Sequence, residues 1–200
     1  MDKNIDKEYL LDRYKHFGID KLPQEVLDDY FSRMKVVKKK RHDLLLKEGE
    51  VCTNFAIMRT GLMRIFHYKK GKDISDVFLG DGSFCVSIES FFNEKPSDRL
   101  IEILEPAEIY LLPRKDLIEL CDKYLEFDLF AQSMIAFVVG VLQRKVELLQ
   151  FATAEERLEM ILQDVPDLMQ RVSSVQVASY LGVTPETLSR VRGRMARRNE

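Results

Sequence analysis

Close to the C-terminal end of a 200-residue chain, Glu186, Ser189 and Arg190 stand within five positions of one another. An arginine guanidinium donates two parallel hydrogen bonds to guanine N7 and O6, and a carboxylate accepts one from cytosine N4. Residues four apart share a helix face, so Glu186 and Arg190 could meet base edges together, with Ser189 beside them. Thr184 and Thr187 flank them, and Arg192, Arg194, Arg197 and Arg198 follow. That set suits phosphate oxygens. The last eleven residues hold five Arg and one Glu, a charge of +4, against −6 for the remaining 189. Double-stranded DNA is the partner this chemistry fits. The bland alternative is an ordinary helical hairpin with a basic, solvated tail.

The elements around these residues decide between the two. In the stretch from Val175 to Val191, Ala178 is small where two helices must cross closely. Gly182 stands where a tight turn needs left-handed backbone. Thr184 is a good N-cap, with Pro185 at the first helical position. Val183, Leu188 and Val191 point back to a core. Together these features predict a helix-turn-helix over 175–195 whose second helix would enter the major groove. Thr153 and Glu156 form a capping box for a helix just before it.

Upstream, a long helix is expected over 126–151. Phe127, Phe130, Met134, Phe137, Val141, Leu148 and Phe151 form one apolar stripe, and Ile135, Val138, Leu142, Val146 and Leu149 a second. A helix that is apolar on two sides needs cover on two sides. One side would lie on the chain's own body. The other would meet a second copy, with Phe130, Met134, Phe137, Val141 and Leu148 as its dimer residues. From Asp43 to Leu112 the sequence reads as short strands broken by Gly49, Gly61, Lys69-Lys70-Gly71-Lys72 and Gly80-Asp81-Gly82, which predicts an antiparallel barrel or jelly roll. The first 34 residues read as helical. A basic run, Lys38-Lys39-Lys40-Arg41, reads as a solvated loop or strand edge. The expected division is a barrel with N-terminal helices over 1–125, the dimer helix over 126–151 and the helix-turn-helix over 152–200.

Composition narrows the rest. Hydrophobic residues make up 46% and charged residues 32%, which excludes collagen-like, mucin-like and wholly disordered chains. Cys52, Cys85 and Cys121 are scattered and odd in number, with no metal-ligand spacing, so no metal or cofactor is expected. His42 and His67 stand alone and read as surface residues rather than haem ligands. The longest apolar run, Met134 to Leu142, is shorter than the ~20 residues of a membrane span, so a soluble cytoplasmic protein without a membrane partner is expected. No Ser/His/Asp set or phosphate-binding Gly-rich loop marks an enzyme.

The order of barrel, long helix and helix-turn-helix resembles the Crp–Fnr superfamily of bacterial transcription regulators. The stretch Gly49-Glu50-Val51, Met58 to Leu62, Lys69 to Asp73 and Gly80 to Phe84 resembles the cyclic-nucleotide-binding-type barrel of that family. Thr153 to Leu158 and Val177 to Arg190 are similar to members common in Bacteroidetes. The resemblance implies an α+β fold: an N-terminal antiparallel β-barrel or jelly roll, a long central dimerisation helix and a C-terminal helix-turn-helix. It implies base readout by Glu186, Ser189 and Arg190, a homodimer on an inverted repeat, and RNA polymerase as a further partner. Members that bind cyclic AMP hold its ribose with a Gly-Glu pair and its phosphate with Arg-Ser or Arg-Thr. Anchored on Gly82 and Phe84, those positions fall here at Val86-Ser87 and Ser97-Asp98, with Arg99 displaced along the strand. The polar pair that meets the base falls near Leu142-Gln143. The expected effector is therefore another small molecule, or none. The alternative is a ligand-sensing module of the same barrel type acting through protein contacts.

Overall fold

A computed structural model of the chain describes residues 5–198. Two helices open it, α1 (Lys7–Tyr14) and α2 (Gln24–Arg33), joined through 3-10 turns at Lys15–Phe17 and Ile19–Lys21. Strands follow: β1 (Lys35–Lys39), β2 (Leu44–Leu46), β3 (Asn54–Thr60), β4 (Met63–Lys69), β5 (Lys72–Leu79) and β6 (Phe84–Cys85). A short helix α3 (Ile88–Asn93) precedes β7 (Leu100–Ile103) and β8 (Ala107–Pro113). Helices α4 (Arg114–Lys123) and α5 (Leu125–Phe151) lead to α6 (Ala154–Asp164), α7 (Leu168–Arg171), α8 (Ser174–Leu181) and α9 (Pro185–Arg198).

The strands form two antiparallel four-stranded sheets, ordered β1-β8-β3-β6 and β2-β7-β4-β5. Strand alternation puts Met63, Ile101 and Ile103 inside, with Leu46, Ala56, Met58, Cys85, Phe91 and Ile109. This is the jelly-roll arrangement the strand pattern predicts. The basic run lies on β1, an edge strand, and its turn. Gly61 has φ +119°, and a Cβ there would stand 2.7 Å from that of Ala107, so the tight turn into β4 needs glycine.

The outer face of the second sheet is also covered. Leu62, Phe78 and Leu104 join one core with Leu158, Ile161, Val177, Leu181, Leu188 and Val191 of the C-terminal helices. Beside them lies a buried polar cluster. Arg64 donates to Glu102 (2.7 Å), Asp73 (2.6 Å) and Ser75 (3.1 Å), and its guanidinium stacks over Phe66. Every strong donor thus has a partner, the condition under which a buried charge is tolerated.

Helix α5 departs from one expectation. Phe130 and Met134 are only 4% and 7% exposed, buried with Phe127 in the chain's own core. Phe127 and Phe130 pack on Tyr30 of α2, and Phe137 lies 5.3 Å from the Phe17 ring. The N-terminal helices therefore claim the start of the first apolar stripe, Phe127, Phe130 and Met134, while Phe137 and Val141 stay exposed. Each such side chain gains about 1.5–3 kcal/mol on burial, so Phe130 and Met134 are not available to a partner. Besides Phe137 and Val141, Ile135, Val139, Leu142, Val146 and Leu149, spaced 4-3-4-3, form an open row, each about half exposed. Val138 is more enclosed than Val139, which takes its place in this seam. The whole helix has 27 residues and a window of mean hydropathy 1.7, enough by length and composition to cross a bilayer. The apolar run seen in sequence understates it, because Arg144 and Lys145 interrupt the run and not the helix. Its N-terminal third, however, is occupied by protein.

Candidate nucleic-acid interface

The turn of the C-terminal motif falls where the sequence predicts it, while α9 runs on to Arg198, three residues past the expected end. Ser173 and Gln176 form a capping box at the head of α8. Gly182, at φ +68°, ends α8 in the left-handed conformation, where an L side chain would cost about 1–2 kcal/mol. Ala178, Leu188 and Val191 are each 1% exposed, so the two helices cross closely over a dry contact. At the head of α9 the Thr187 amide donates to the Thr184 hydroxyl (3.3 Å), which caps the helix.

That cap also organises the polar face. Thr184 and Thr187 hydroxyls are 3.2 Å apart, and Arg190 Nη2 donates to Thr187 Oγ1 at 3.2 Å. The Glu186 carboxyl is held below its ordinary pKa, first by the Thr184 hydroxyl, then by backbone, with Arg190 adding its charge. Glu186, Ser189 and Arg190 are all exposed, in the first two turns. An anionic acceptor and a guanidinium thus stand on one face, oriented by two threonines.

Among the expected phosphate residues, Thr184, Arg192, Arg194 and Arg197 are exposed and Thr187 is half-buried. Arg194 pairs with Glu155 of α6 at 3.5 Å, and Arg197 donates to the Gly193 carbonyl at 3.1 Å. Arg192, with Ser189, Leu158 and Met195, lines a groove of 490 Å³ against α6 and α7. The Arg198 side chain lies outside the described residues.

The positions expected to form an effector pocket divide. Ser87 and Ser97, 7% and 4% exposed, come together and share a hydrogen bond of 2.9 Å. Ser97 Oγ also accepts from the Arg99 amide and donates to its carbonyl, each at 3.0 Å. Val86 packs on the barrel core beside them. Arg99 is engaged elsewhere, with Asp76 and Asp98 both at 2.6 Å. Asp98 is exposed, as are Leu142 and Gln143, so these three do not join the serine pair. Ser87 and Ser97 thus form a buried pair of hydroxyls bonded to each other.

Several residues that tie the parts together carry no signal in the sequence. Lys145 of α5 reaches β5 of the barrel, donating to the Asp76 carbonyl and stacking over Tyr180 of α8. Burial pushes its ammonium below the ordinary pKa; Asp76 opposes that and Arg99 adds to it. Ser179 of α8 accepts from the Ser75 amide (2.8 Å) and donates to the Asp73 carbonyl (3.1 Å). Arg171 binds Glu105 and the Gly61 carbonyl. Among the described residues no group of His, Cys, Asp and Glu is arranged to hold a metal. Burial raises the thiols of Cys52, Cys85 and Cys121 above their ordinary pKa, so none is a poised nucleophile.

Residues 36–124 match the family of cyclic nucleotide-binding domains. No curated protein matches the chain by sequence. Solved structures do match by shape. The catabolite activator protein of Thermus thermophilus is 21% identical, with a TM-score of 0.56, over 94% of this chain and 88% of that one. FixK2 from Bradyrhizobium japonicum is 18% identical, with a TM-score of 0.68, over 83% and 86%. A transcriptional regulator of the Crp/Fnr family from Eubacterium rectale is 13% identical, with a TM-score of 0.69, over 88% and 85%. The chain therefore carries a cyclic nucleotide-binding-family domain at residues 36–124 and, over most of its length, has the fold of Crp–Fnr transcription regulators.

Proposed function

We propose that this protein is a homodimeric DNA-binding transcription regulator, acting in the cytoplasm, that reads an inverted-repeat site through α9. The observation that carries this reading is the face Glu186, Ser189 and Arg190, exposed in the first two turns of a capped helix and held by Thr184 and Thr187. Recognition helices meet base edges with their first turns. Arg192, Arg194 and Arg197 then serve the phosphates, which supply affinity without sequence preference. The open seam of α5 pairs with its copy in the second subunit. The reading is of a regulator and not an enzyme, as the solved structures of like fold are transcription regulators.

Cyclic AMP is not the effector in this reading. A ribose and a cyclic phosphate need a carboxylate and a guanidinium, and Ser87 with Ser97 supplies neither. Either another small molecule acts on the barrel or none does. RNA polymerase is the partner a DNA-bound regulator of this type would address.

Replacing Arg190 and Arg197 separately tests the readout. Arg190→Ala is expected to cost about 1–3 kcal/mol on the preferred site and to change little on random duplex. Arg197→Ala should weaken both duplexes alike and lower the salt slope by about 1. Equal loss on both duplexes for Arg190→Ala would make Arg190 a phosphate clamp and remove base readout from this face.

A further inference from the structure

The tip of the β4–β5 hairpin has a charge pattern that nothing in the fold explains. Lys69 and Lys72 face each other as the last cross-strand pair, with Lys70 and Gly71 between them. Like charges placed directly opposite are destabilising. Lys70 adds a second cost, because it takes φ +52° ahead of Gly71 at +73°. A two-residue turn with both angles positive prefers Asn-Gly or Asp-Gly. All three lysines are exposed and none forms an ion pair among the described residues. Nearby Asp73 is committed to Arg64. Lysines often guard a bare sheet edge, but β5 is an edge that α8 already covers.

The position of the tip gives the lysines a partner. Helix α8 lies along β5 in a fixed direction. Arg171, just before α8, is bound to Gly61 and Glu105, at the end of the sheet away from the hairpin tip. Ser179, late in α8, is bound to Asp73 and Ser75, beside the tip. The helix thus runs toward the lysines, and Gly182, where the chain turns into α9, is three residues beyond Ser179. Thr184 and the reading face of α9 follow at once. A strained, self-repelling cationic tip thus lies at the end of β5 toward which α8 runs, near the start of the proposed recognition helix.

We propose that Lys69, Lys70 and Lys72 form a second contact with nucleic acid, gripping duplex phosphates that flank the half-site read by α9. The barrel would then bind DNA directly as well as carry the helix-turn-helix. This rests on the DNA-binding reading above. Each neutralised phosphate contributes about −0.9 to the slope of log K against log salt, so three lysines per subunit are a measurable share.

The test uses the full chain and two duplexes: the preferred site alone, and the same site extended by about one helical turn, ~10 bp, on each side. The wild type should bind the extended duplex more tightly and with the steeper salt slope. The triple variant Lys69→Gln, Lys70→Gln, Lys72→Gln should lose about tenfold on the extended duplex and reduce the slope by about 1–3 per subunit. It should then no longer distinguish the two lengths. The triple Lys→Arg variant keeps the charge and should behave as wild type, which separates charge from folding. If wild type binds and the Gln variant matches it on both duplexes, the hairpin does not touch DNA. Unchanged DNA binding with lost transcription by RNA polymerase would overturn the assignment in favour of a protein partner. If the wild type binds neither duplex in a salt-dependent way, it is the DNA-binding reading itself that fails.

Discussion

Ser87 and Ser97 show how much two side chains decide. Buried and bonded to each other at 2.9 Å, they satisfy their own polarity and carry no charge. Arg99, the nearest guanidinium in sequence, is held by Asp76 and Asp98. Titration calorimetry should therefore detect no micromolar binding of cyclic AMP or cyclic GMP, and a micromolar isotherm would contradict this account of the barrel. Asp29 decides a different property. It accepts from Arg33 (2.6 Å), Lys123 (3.0 Å) and Tyr124 (3.2 Å), joining α2 to α4 and the start of α5. The Arg33 bond, chiefly, and Lys123 hold its carboxyl well below the usual range. A carboxyl depressed on folding stabilises the protein above its unfolded pKa of about 3.9, and loses that contribution as pH falls toward the folded value. Thermal midpoints from pH 7 to 2 should fall through the acid range in wild type and more shallowly in Asp29→Asn, which starts lower at pH 7. Parallel curves would show that Asp29 is not a main source of acid sensitivity. Single residues of this kind were unevenly legible. Gly182, Thr184 and the Thr153–Glu156 box announce themselves because caps and turns are local chemistry. Lys145, Arg171 and Ser179 do not, because the barrel groups they bond lie 66 to 110 positions away.

At the scale of elements, periodicity identifies apolar faces but not their occupants. The two stripes of α5 are visible in the sequence, yet only packing shows that Phe127, Phe130 and Met134 belong to the N-terminal helices. The strand pattern fared better, since short apolar runs broken by turn residues already mark an antiparallel jelly roll. The remaining seam of α5 is a heptad-like row of five half-exposed side chains, an expensive surface unless another helix covers it. Val139→Asp combined with Val146→Asp places charge in that seam without touching the Phe17–Phe137 contact. Sedimentation should then show monomers where wild type gives dimers, since burying an unpaired carboxylate is strongly unfavourable. Dimers that persist in the double variant would place the interface elsewhere.

Across the whole molecule, the parts form one chain of contacts from the barrel to the C-terminal helices. The outer face of the second sheet, the C-terminal half of α5 and the helix-turn-helix meet through Leu62, Phe78 and Leu104, through Lys145 and through Ser179. A change at the barrel therefore has a physical route to α9. Two subunits paired along α5 would each present one such helix. Two-fold related recognition helices address half-sites one helical turn apart, about 34–36 Å. The most direct measurement is selection of bound duplexes from a random-sequence library, using the full-length protein. The account predicts enrichment of an inverted repeat with half-site centres about 10–10.5 bp apart, lost in Arg190→Ala. A library that emerges without sequence enrichment, or with a single unrepeated half-site, would contradict the central claim that a dimer of this chain reads DNA through α9.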